Sequence, residues 1–211
     1  MKISSAKIGF VWGEIMISHK YKCIFVHIRK TGGNSISSFL KEHDGNAEYA
    51  VHPQHNLHAP LNWYESKYGE QIYNNYFKFT IVRNPWDLRV SFKKWCANTG
   101  GRLGKYARQL SFSDWIKRYS VRYNPNKTGV GMTQLSYLNP IENVDFIGRF
   151  ENLQEDFNII CDKIGIPQQQ LPHENATQHK HYTEYYDDET KSIVAKKYAK
   201  DIEYFGYEFE E

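Results

Sequence analysis

Two short polar turns in this chain carry residues that are suited to binding oxyanions. The first lies between an apolar run and a stretch with apolar residues at helical spacing, and it reads Lys30-Thr31-Gly32-Gly33-Asn34-Ser35. Paired glycines let the backbone aim several N–H groups at one point, and a following helix adds the positive end of its dipole. Lys30 supplies a full charge, and the neighbouring hydroxyl and amide side chains supply further donors. This turn therefore predicts a phosphate or sulfate site.

The second turn reads Arg83-Asn84-Pro85-Trp86-Asp87, and Ser91 follows it along the predicted helix. Arg83 comes after an apolar run and can meet a phosphate through two parallel hydrogen bonds, and Ser91 would face back toward it. Taken alone, the same residues also suit a capped helix start in which Arg83 forms a structural ion pair. Two such turns after adjacent strands suit a nucleotide that is phosphorylated at two places.

The order of residues in the first turn differs from that of a nucleoside-triphosphate loop. In the motif G-x-x-x-x-G-K-[ST] the lysine follows the second glycine, whereas Lys30 precedes both glycines here. No obvious apolar strand ends in an aspartate that could hold magnesium. We therefore expect an oxyanion site that works without a metal ion, and a P-loop kinase remains the less supported alternative.

Three histidines, His52, His55 and His58, lie between the two turns. A histidine near an acceptor hydroxyl can act as a general base. Their three-residue spacing also permits a metal site, although no cysteine joins the set, and an exposed loop with idle histidines is a third possibility.

Strands and helices that alternate along the chain must position these groups. Apolar runs predict strands at 23–28, 77–82 and 144–149. Helices are predicted after each strand, with Asn84 capping the second helix, and again at 111–119 and from about 187, while 98–104 is expected to be a loop. This alternation indicates an α/β fold with a parallel β-sheet flanked by helices.

Composition narrows the functional classes. The chain has 211 residues, of which 40% are hydrophobic and 16% aromatic, which is typical of one globular domain and too aromatic for a disordered chain. No apolar run reaches the ~18 residues of a membrane span. The 3 cysteines form no CxxC pair, as is typical of a reducing compartment. We expect a cytoplasmic protein without membrane partners, with 1–211 as a single domain.

Basic residues are concentrated in one segment. From Arg89 to Arg122 the chain carries nine basic residues against one acid, Asp114, a formal +8 in a protein whose total is +3. Such a local field attracts anionic ligands, although a solvated helical face would look the same. Nucleic acid is not indicated, because the pI is about 8.6 and no reader motif is present. The segment therefore favours an anionic ligand, such as an acidic or sulfated saccharide.

Together these motifs resemble those of the sulfotransferases that use PAPS (3′-phosphoadenosine 5′-phosphosulfate). The Lys30–Ser35 turn is similar to their 5′-phosphosulfate loop, and the segment from Phe77 to Asp87 with Ser91 is similar to their 3′-phosphate-binding strand and helix. The likeness is strongest to the carbohydrate branch that includes the heparan 2-O enzymes and bacterial relatives. It covers about residues 20–210.

This resemblance implies a P-loop-NTPase-like sulfotransferase fold and in-line transfer from PAPS to an acceptor hydroxyl on a carbohydrate, with 3′,5′-ADP as product and no metal. The basic segment from Arg89 to Arg122 adds the expectation that this saccharide is anionic. Its implied cofactor-binding residues are Lys30, Thr31, Gly32, Gly33, Asn34, Ser35, Arg83 and Ser91. Relatives place a histidine about 18 residues before the second strand, and His58 lies 18 residues before Tyr76. The implied catalytic residues are therefore His58, with His55 as second choice, and Lys30 at the leaving group. An inactive nucleotide- or glycan-binding module of the same fold is the alternative.

Overall fold

A sheet of four strands, in the order β1-β2-β3-β4, lies at the centre of the part of the chain that the structure describes. The structure is a computed structural model that describes residues 17–48, 58–119, 133–171 and 180–210. Strands β2, β3 and β4 run parallel, and β1 pairs antiparallel with β2 at the edge. The strands are β1 (Ile17–Ser18), β2 (Cys23–Val26), β3 (Phe77–Val82) and β4 (Phe146–Arg149). The predicted α/β class is confirmed, with the antiparallel edge strand as an addition.

Helices follow the parallel strands and cover both faces of the sheet. Single 3₁₀ turns lie at Ile141–Asn143, Phe150–Asn152 and Tyr182–Tyr185. The α-helices are α1 (Gly33–His43), α2 (Leu61–Tyr68), α3 (Glu70–Asn75), α4 (Pro85–Ala97), α5 (Gly101–Gln109), α6 (Phe112–Tyr119), α7 (Gln134–Tyr137), α8 (Leu153–Ile164), α9 (Asp188–Lys197) and α10 (Ala199–Phe205).

The alternation of side chains along β2 divides the core between the two faces of the sheet. Ile24 and Val26 pack into a cluster with residues of α2, α3, α7 and α10. Cys23 and Phe25, which point to the opposite face, pack into a second cluster with α1 and α8. A third cluster joins α4, α5, α6 and α9 beside the sheet. The sheet is thus buried on both faces, which explains why β2 and β3 read as nearly continuous apolar runs.

Local capping signals mark several helix ends correctly. The Asn84 side chain accepts a hydrogen bond from the N–H of Trp86 at 3.1 Å, and Pro85 occupies the first helical position of α4. Gly165 ends α8 with a φ of +74°, and Asp187 forms a capping box with Thr190 at the start of α9. Among the described helices, none is both long and apolar enough to cross a bilayer.

The loop predicted at residues 98–104 is wrong in its second half, because α5 begins at Gly101. Two consecutive glycines after Asn98 and Thr99 favour a loop locally. Packing decides otherwise, since Ala107 is buried in the third cluster together with residues of α4. Gly104 permits the close approach, because an added Cβ there would lie 2.0 Å from the carbonyl oxygen of Thr99.

Candidate functional site

The two polar turns lie side by side at one edge of the sheet. Strands β2 and β3 are parallel, with Val26 opposite Thr80, so both strands end at the same edge. The first turn follows β2 and the second follows β3. Arg83 Nη1 donates a hydrogen bond to the carbonyl oxygen of Lys30 at 2.8 Å, which joins the turns directly. The structure therefore brings together the two segments that the sequence singled out.

Each glycine of the first turn is required by a different feature of the geometry. Gly32 has a φ of +81°, in the left-handed region, and an added Cβ would lie 2.7 Å from Leu153 Cδ2. At Gly33 an added Cβ would lie 2.1 Å from Nε2 of His27. The His27 ring thus occupies the space beside the first residue of α1. Neither position can carry a side chain without moving its neighbours.

Donors are available in this turn from both backbone and side chains. No side chain caps α1, and the N–H groups of Gly33 and Asn34 have no partner within the helix, whereas the Ser35 N–H donates to the Gly32 carbonyl oxygen at 3.1 Å. The Thr31 hydroxyl donates to the carbonyl oxygen of Ile28 at 2.8 Å, which holds the turn in shape. Lys30 has a φ of +67°, an uncommon conformation for a lysine. Asn34 is half-buried and Ser35 buried in the first turn of α1. The arrangement can hold an oxyanion.

Arg83 is held in the second turn by an ion pair and by a ring. Its Nε and Nη2 donate to one carboxylate oxygen of Asp87 at 2.8 and 2.7 Å, and its guanidinium lies 3.8 Å from the centre of the Phe150 ring. Both side chains are largely buried, at 7% and 17% exposure. Ser91 lies one helical turn beyond Asp87 and is buried. Arg83 therefore commits three of its five N–H donors to the protein, including the one that reaches the first turn.

A buried amide and carboxylate fix the backbone of Arg83. Gln134 accepts from the Arg83 N–H and donates to the Arg83 carbonyl oxygen, both at 2.8 Å. Asp201 in turn accepts the N–H groups of Gln134 and Leu135. Burial raises the pKa of Asp201 from 3.8 to about 6 against these hydrogen bonds. This support comes from α7 and α10, far away in sequence, and no local signal indicated it.

His58 lies against the first turn through His27. Its Nδ1 is 3.0 Å from the His27 carbonyl oxygen, and the centres of the two imidazole rings are 4.6 Å apart. A carbonyl can only accept, so the neutral His58 ring carries its proton on Nδ1 and the lone pair on Nε2. Burial, with repulsion from His27 and Arg29, lowers the pKa of His58 from 6.5 to about 2. A neutral imidazole with an available Nε2 can accept a proton from a nearby hydroxyl.

Two residues beside this site were missed by the sequence analysis. His27 stacks on Phe25 and fills the space beside Gly33. Arg29 lies close enough to His58 to depress its pKa, and its Nε is buried without a hydrogen-bond partner among the described residues. A polar side chain directly after an apolar strand, as His27 is after Val26, was the signal that could have identified this position.

The other candidates either lie outside the described residues or make contacts elsewhere. His55, the second candidate base, and His52 lie outside the described residues, and within those residues no group of histidine, cysteine and carboxylate side chains is arranged to hold a metal ion. Arg149 donates to the carbonyl oxygen of Phe205 and lies over the Tyr207 ring. Lys180 forms an exposed ion pair with Glu184.

Several cations of the basic segment serve local structure. Lys117 pairs with Glu189 at 2.7 Å, and Lys93 donates to the Ala107 carbonyl oxygen at 2.9 Å. Arg108 donates to the carbonyl oxygen of Ala97, the last residue of α4, and to that of Thr99, just after the helix. These contacts account for part of the positive charge without a ligand. Arg89 differs, because it is buried with 2% of its surface exposed.

Comparison with known proteins assigns the chain to a family. A family model with the description "Sulfotransferase family" matches residues 13–208. Carbohydrate sulfotransferase 9 of Homo sapiens is 24% identical over 218 residues, which covers 90% of this chain and 48% of the human protein. Carbohydrate sulfotransferase 14 of Danio rerio is 25% identical over 233 residues, which covers 92% of this chain and 62% of the fish protein.

A shorter match lies in an archaeon. An uncharacterized protein of Archaeoglobus fulgidus is 30% identical over 108 residues, which is 49% of this chain and 80% of that protein. The chain thus spans between about half and three fifths of the length of the two carbohydrate sulfotransferases.

Proposed function

The chain belongs to the sulfotransferase family, and from this premise we propose that it transfers the sulfuryl group of PAPS to a hydroxyl of a carbohydrate acceptor. The observation that supports this most directly is the position of His58, whose ring contacts His27 while His27 packs against Gly33 of the oxyanion turn. A general base and an anion-binding turn are therefore one side chain apart. The names of the two carbohydrate sulfotransferases support the acceptor class.

The residues of the two turns fit the two phosphorylated ends of PAPS. Lys30, with the N–H groups at the start of α1 and the Ser35 hydroxyl, would hold the 5′-phosphosulfate, while the Thr31 hydroxyl, which donates to Ile28, would keep the turn in shape. Arg83 and Ser91 would hold the 3′-phosphate, through the guanidinium N–H groups that Asp87 and Lys30 do not take. Bound PAPS supplies an activated sulfuryl group on a phosphate leaving group. The chain needs to supply only position, charge and a base.

His58 is the base in this proposal. With Nδ1–H donated to the His27 carbonyl, its Nε2 is oriented to accept the proton of an acceptor hydroxyl. The low pKa of His58, about 2, keeps the ring deprotonated and ready before the substrates bind. Negative charge brought by the nucleotide would raise that pKa and strengthen the base when it is needed. Lys30 would stabilise the charge that builds on the leaving phosphate.

Calorimetric titration tests the nucleotide site. We expect 3′,5′-ADP to bind much more tightly than 5′-AMP, with and without magnesium, and Arg83→Ala to lose this preference because it removes the cation at the 3′-phosphate. Binding of ATP that requires magnesium would instead favour a kinase and would contradict the proposal.

His58→Asn tests the base. The asparagine amide can still donate to the His27 carbonyl oxygen, so the fold of the segment is retained, but Nε2 is lost. We expect turnover to fall by about 100-fold or more with 3′,5′-ADP affinity unchanged. His43→Asn is a matched control, because His43 also bonds a backbone carbonyl through Nδ1, that of Phe39. Binding of 3′,5′-ADP by a wild-type protein that turns over no saccharide acceptor would favour the inactive binding module.

A further inference from the structure

Two cations with buried charged groups, Arg89 on α4 and Lys197 at the end of α9, have no acidic partner among the described residues. Arg89 is 2% exposed, and neither its Nε nor its Nη2 has a hydrogen-bond partner in the described part of the chain. The Lys197 ammonium is also buried without a hydrogen-bond acceptor there. No ion pair within 4.0 Å involves either residue among the described ranges. Guanidinium and ammonium groups are rarely buried unless something pairs with them.

The groups around this pair do not neutralise it. Phenols and a thiol surround Arg89, namely those of Tyr186, Tyr198 and Cys96, and burial raises the pKa of each. The carboxylates that act on these two phenols, Asp87 and Asp201, are engaged elsewhere, since Asp87 pairs with Arg83 and Asp201 accepts two backbone N–H groups. Burial and the nearby Arg89 lower the pKa of Lys197 from 10.5 to about 8. The two cations therefore repel each other in a poorly solvated place.

This pair is separate from the Arg83 turn. Arg89 lies two residues from both Asp87 and Ser91, which places it on the opposite side of α4 because each residue turns the helix by about 100°. Cys96 lies on the same side of α4, and the positive charges of Arg89, Arg29 and Lys30 oppose the rise in its pKa that burial causes. Arg89 therefore does not lie among the residues that would bind the nucleotide's 3′-phosphate.

We propose that Arg89 and Lys197 form an oxyanion site between α4 and α9 that binds a sulfate or carboxylate group. An oxyanion would satisfy the unpartnered N–H groups and remove the repulsion at once. The group can be a free ion or a substituent of the acceptor. If it belongs to the acceptor, a point that rests on the proposed function, the site selects a saccharide that already carries a negative charge.

Lys197→Met is the variant that tests this site, and Lys196→Met is its matched control. Lys196 is exposed and lies on the same helix, and its substitution by methionine removes the same charge. Because an unpaired buried cation destabilises the folded state, we expect Lys197→Met to raise the urea midpoint in a chloride buffer, whereas Lys196→Met leaves it unchanged. A residue that only supports the fold would give the opposite sign. A lower midpoint for Lys197→Met overturns the proposal.

Ligand binding is measured by calorimetry with inorganic sulfate and with N-acetylglucosamine 6-sulfate, in the presence of saturating 3′,5′-ADP. We expect wild type and Lys196→Met to bind at least one probe, and Lys197→Met and Arg89→Met to bind it at least about 10-fold more weakly. If the substitutions at Lys197 and Arg89 weaken the binding of inorganic sulfate, the site binds a free ion. If they weaken only the binding of the sugar sulfate, the site is part of the acceptor site. Equal affinity in all four proteins, or no binding of either probe to wild type, overturns the proposal.

The same titrations separate this proposal from the nucleotide site. If Lys197→Met weakens 3′,5′-ADP instead of the sulfate probes, the cations belong to the nucleotide site and the proposal is wrong. If wild type binds no 3′,5′-ADP, the proposed function fails, while the effect of Lys197→Met on inorganic sulfate still decides the oxyanion site.

Discussion

Replacing His58 with asparagine should remove an acid-sensitive contribution to the stability of the folded protein. Burial and nearby positive charge lower the pKa of His58 from 6.5 in the unfolded chain to about 2 in the folded state. A group with a depressed folded pKa stabilises the fold fully above its unfolded pKa, and this stability is lost as the pH falls from 6.5 toward 2. Below pH 6.5, each further pH unit removes about 1.4 kcal/mol of this stabilisation, so about 2 kcal/mol has been lost by about pH 5.

Asp201 works in the opposite direction over part of this window. Its folded pKa is raised from 3.8 to about 6, so protonation of Asp201 stabilises the folded state as the pH falls through that range. The pH dependence of wild type alone therefore combines both residues. The difference between wild type and His58→Asn isolates His58, because Asp201 is present in both proteins.

The assay is urea unfolding, followed by tryptophan fluorescence, at about pH 7.5 and about pH 5. We expect wild type to lose about 2 kcal/mol more than His58→Asn between these two conditions. His43→Asn, which removes a partly buried histidine on α1, should follow wild type. An equal loss in wild type and His58→Asn would refute the reasoning, because it would mean that His58 is protonated as readily in the folded protein as in the unfolded chain.

Two further substitutions test the geometry of the turns. Gly33→Ala should displace the His27 ring, because the new Cβ would lie 2.1 Å from its Nε2, and it should lower kcat for sulfuryl transfer at least about 10-fold. Gly45→Ala is the control, because its new Cβ would meet nothing within 4 Å. Equal kcat values for the two variants would contradict the role of the Gly33–His27 contact. Asp87→Ala should destabilise the protein by about 3 kcal/mol in urea unfolding, because it leaves the buried Arg83 charge unpaired. Breaking the exposed Lys180–Glu184 pair with Glu184→Ala should cost less than about 1 kcal/mol, and similar costs for both would argue against a buried pair.

Much of the fold follows from short-range patterns. The strand at Phe77–Val82, the cap at Asn84 and the stop of α8 at Gly165 are decided by side-chain alternation, a capping amide and a glycine with positive φ, all within a few residues. Helix α5 shows the limit of such patterns. Its glycines favour a loop, and packing against α4, with Ala107 buried between them, makes the helix stable.

The candidate site divides in the same way. The order of residues in the first turn indicates an oxyanion site by itself, because glycine freedom and helix N-termini are local properties. The sequence alone left open whether Arg83 faces a ligand or an ion pair, and the folded chain shows it paired with Asp87 and joined to Lys30. Contacts between distant segments decide such questions.

By itself, then, the sequence determined the class of fold and the two turns, and its resemblance to a known family pointed to His58 as the expected base. Only the tertiary structure placed His27 between His58 and Gly33, and buried Arg89 beside Lys197. The physical reason is that burial and charge–charge proximity depend on which segments pack together. A residue's type and spacing set what it can do, and its neighbours in space set its ionisation and its partners.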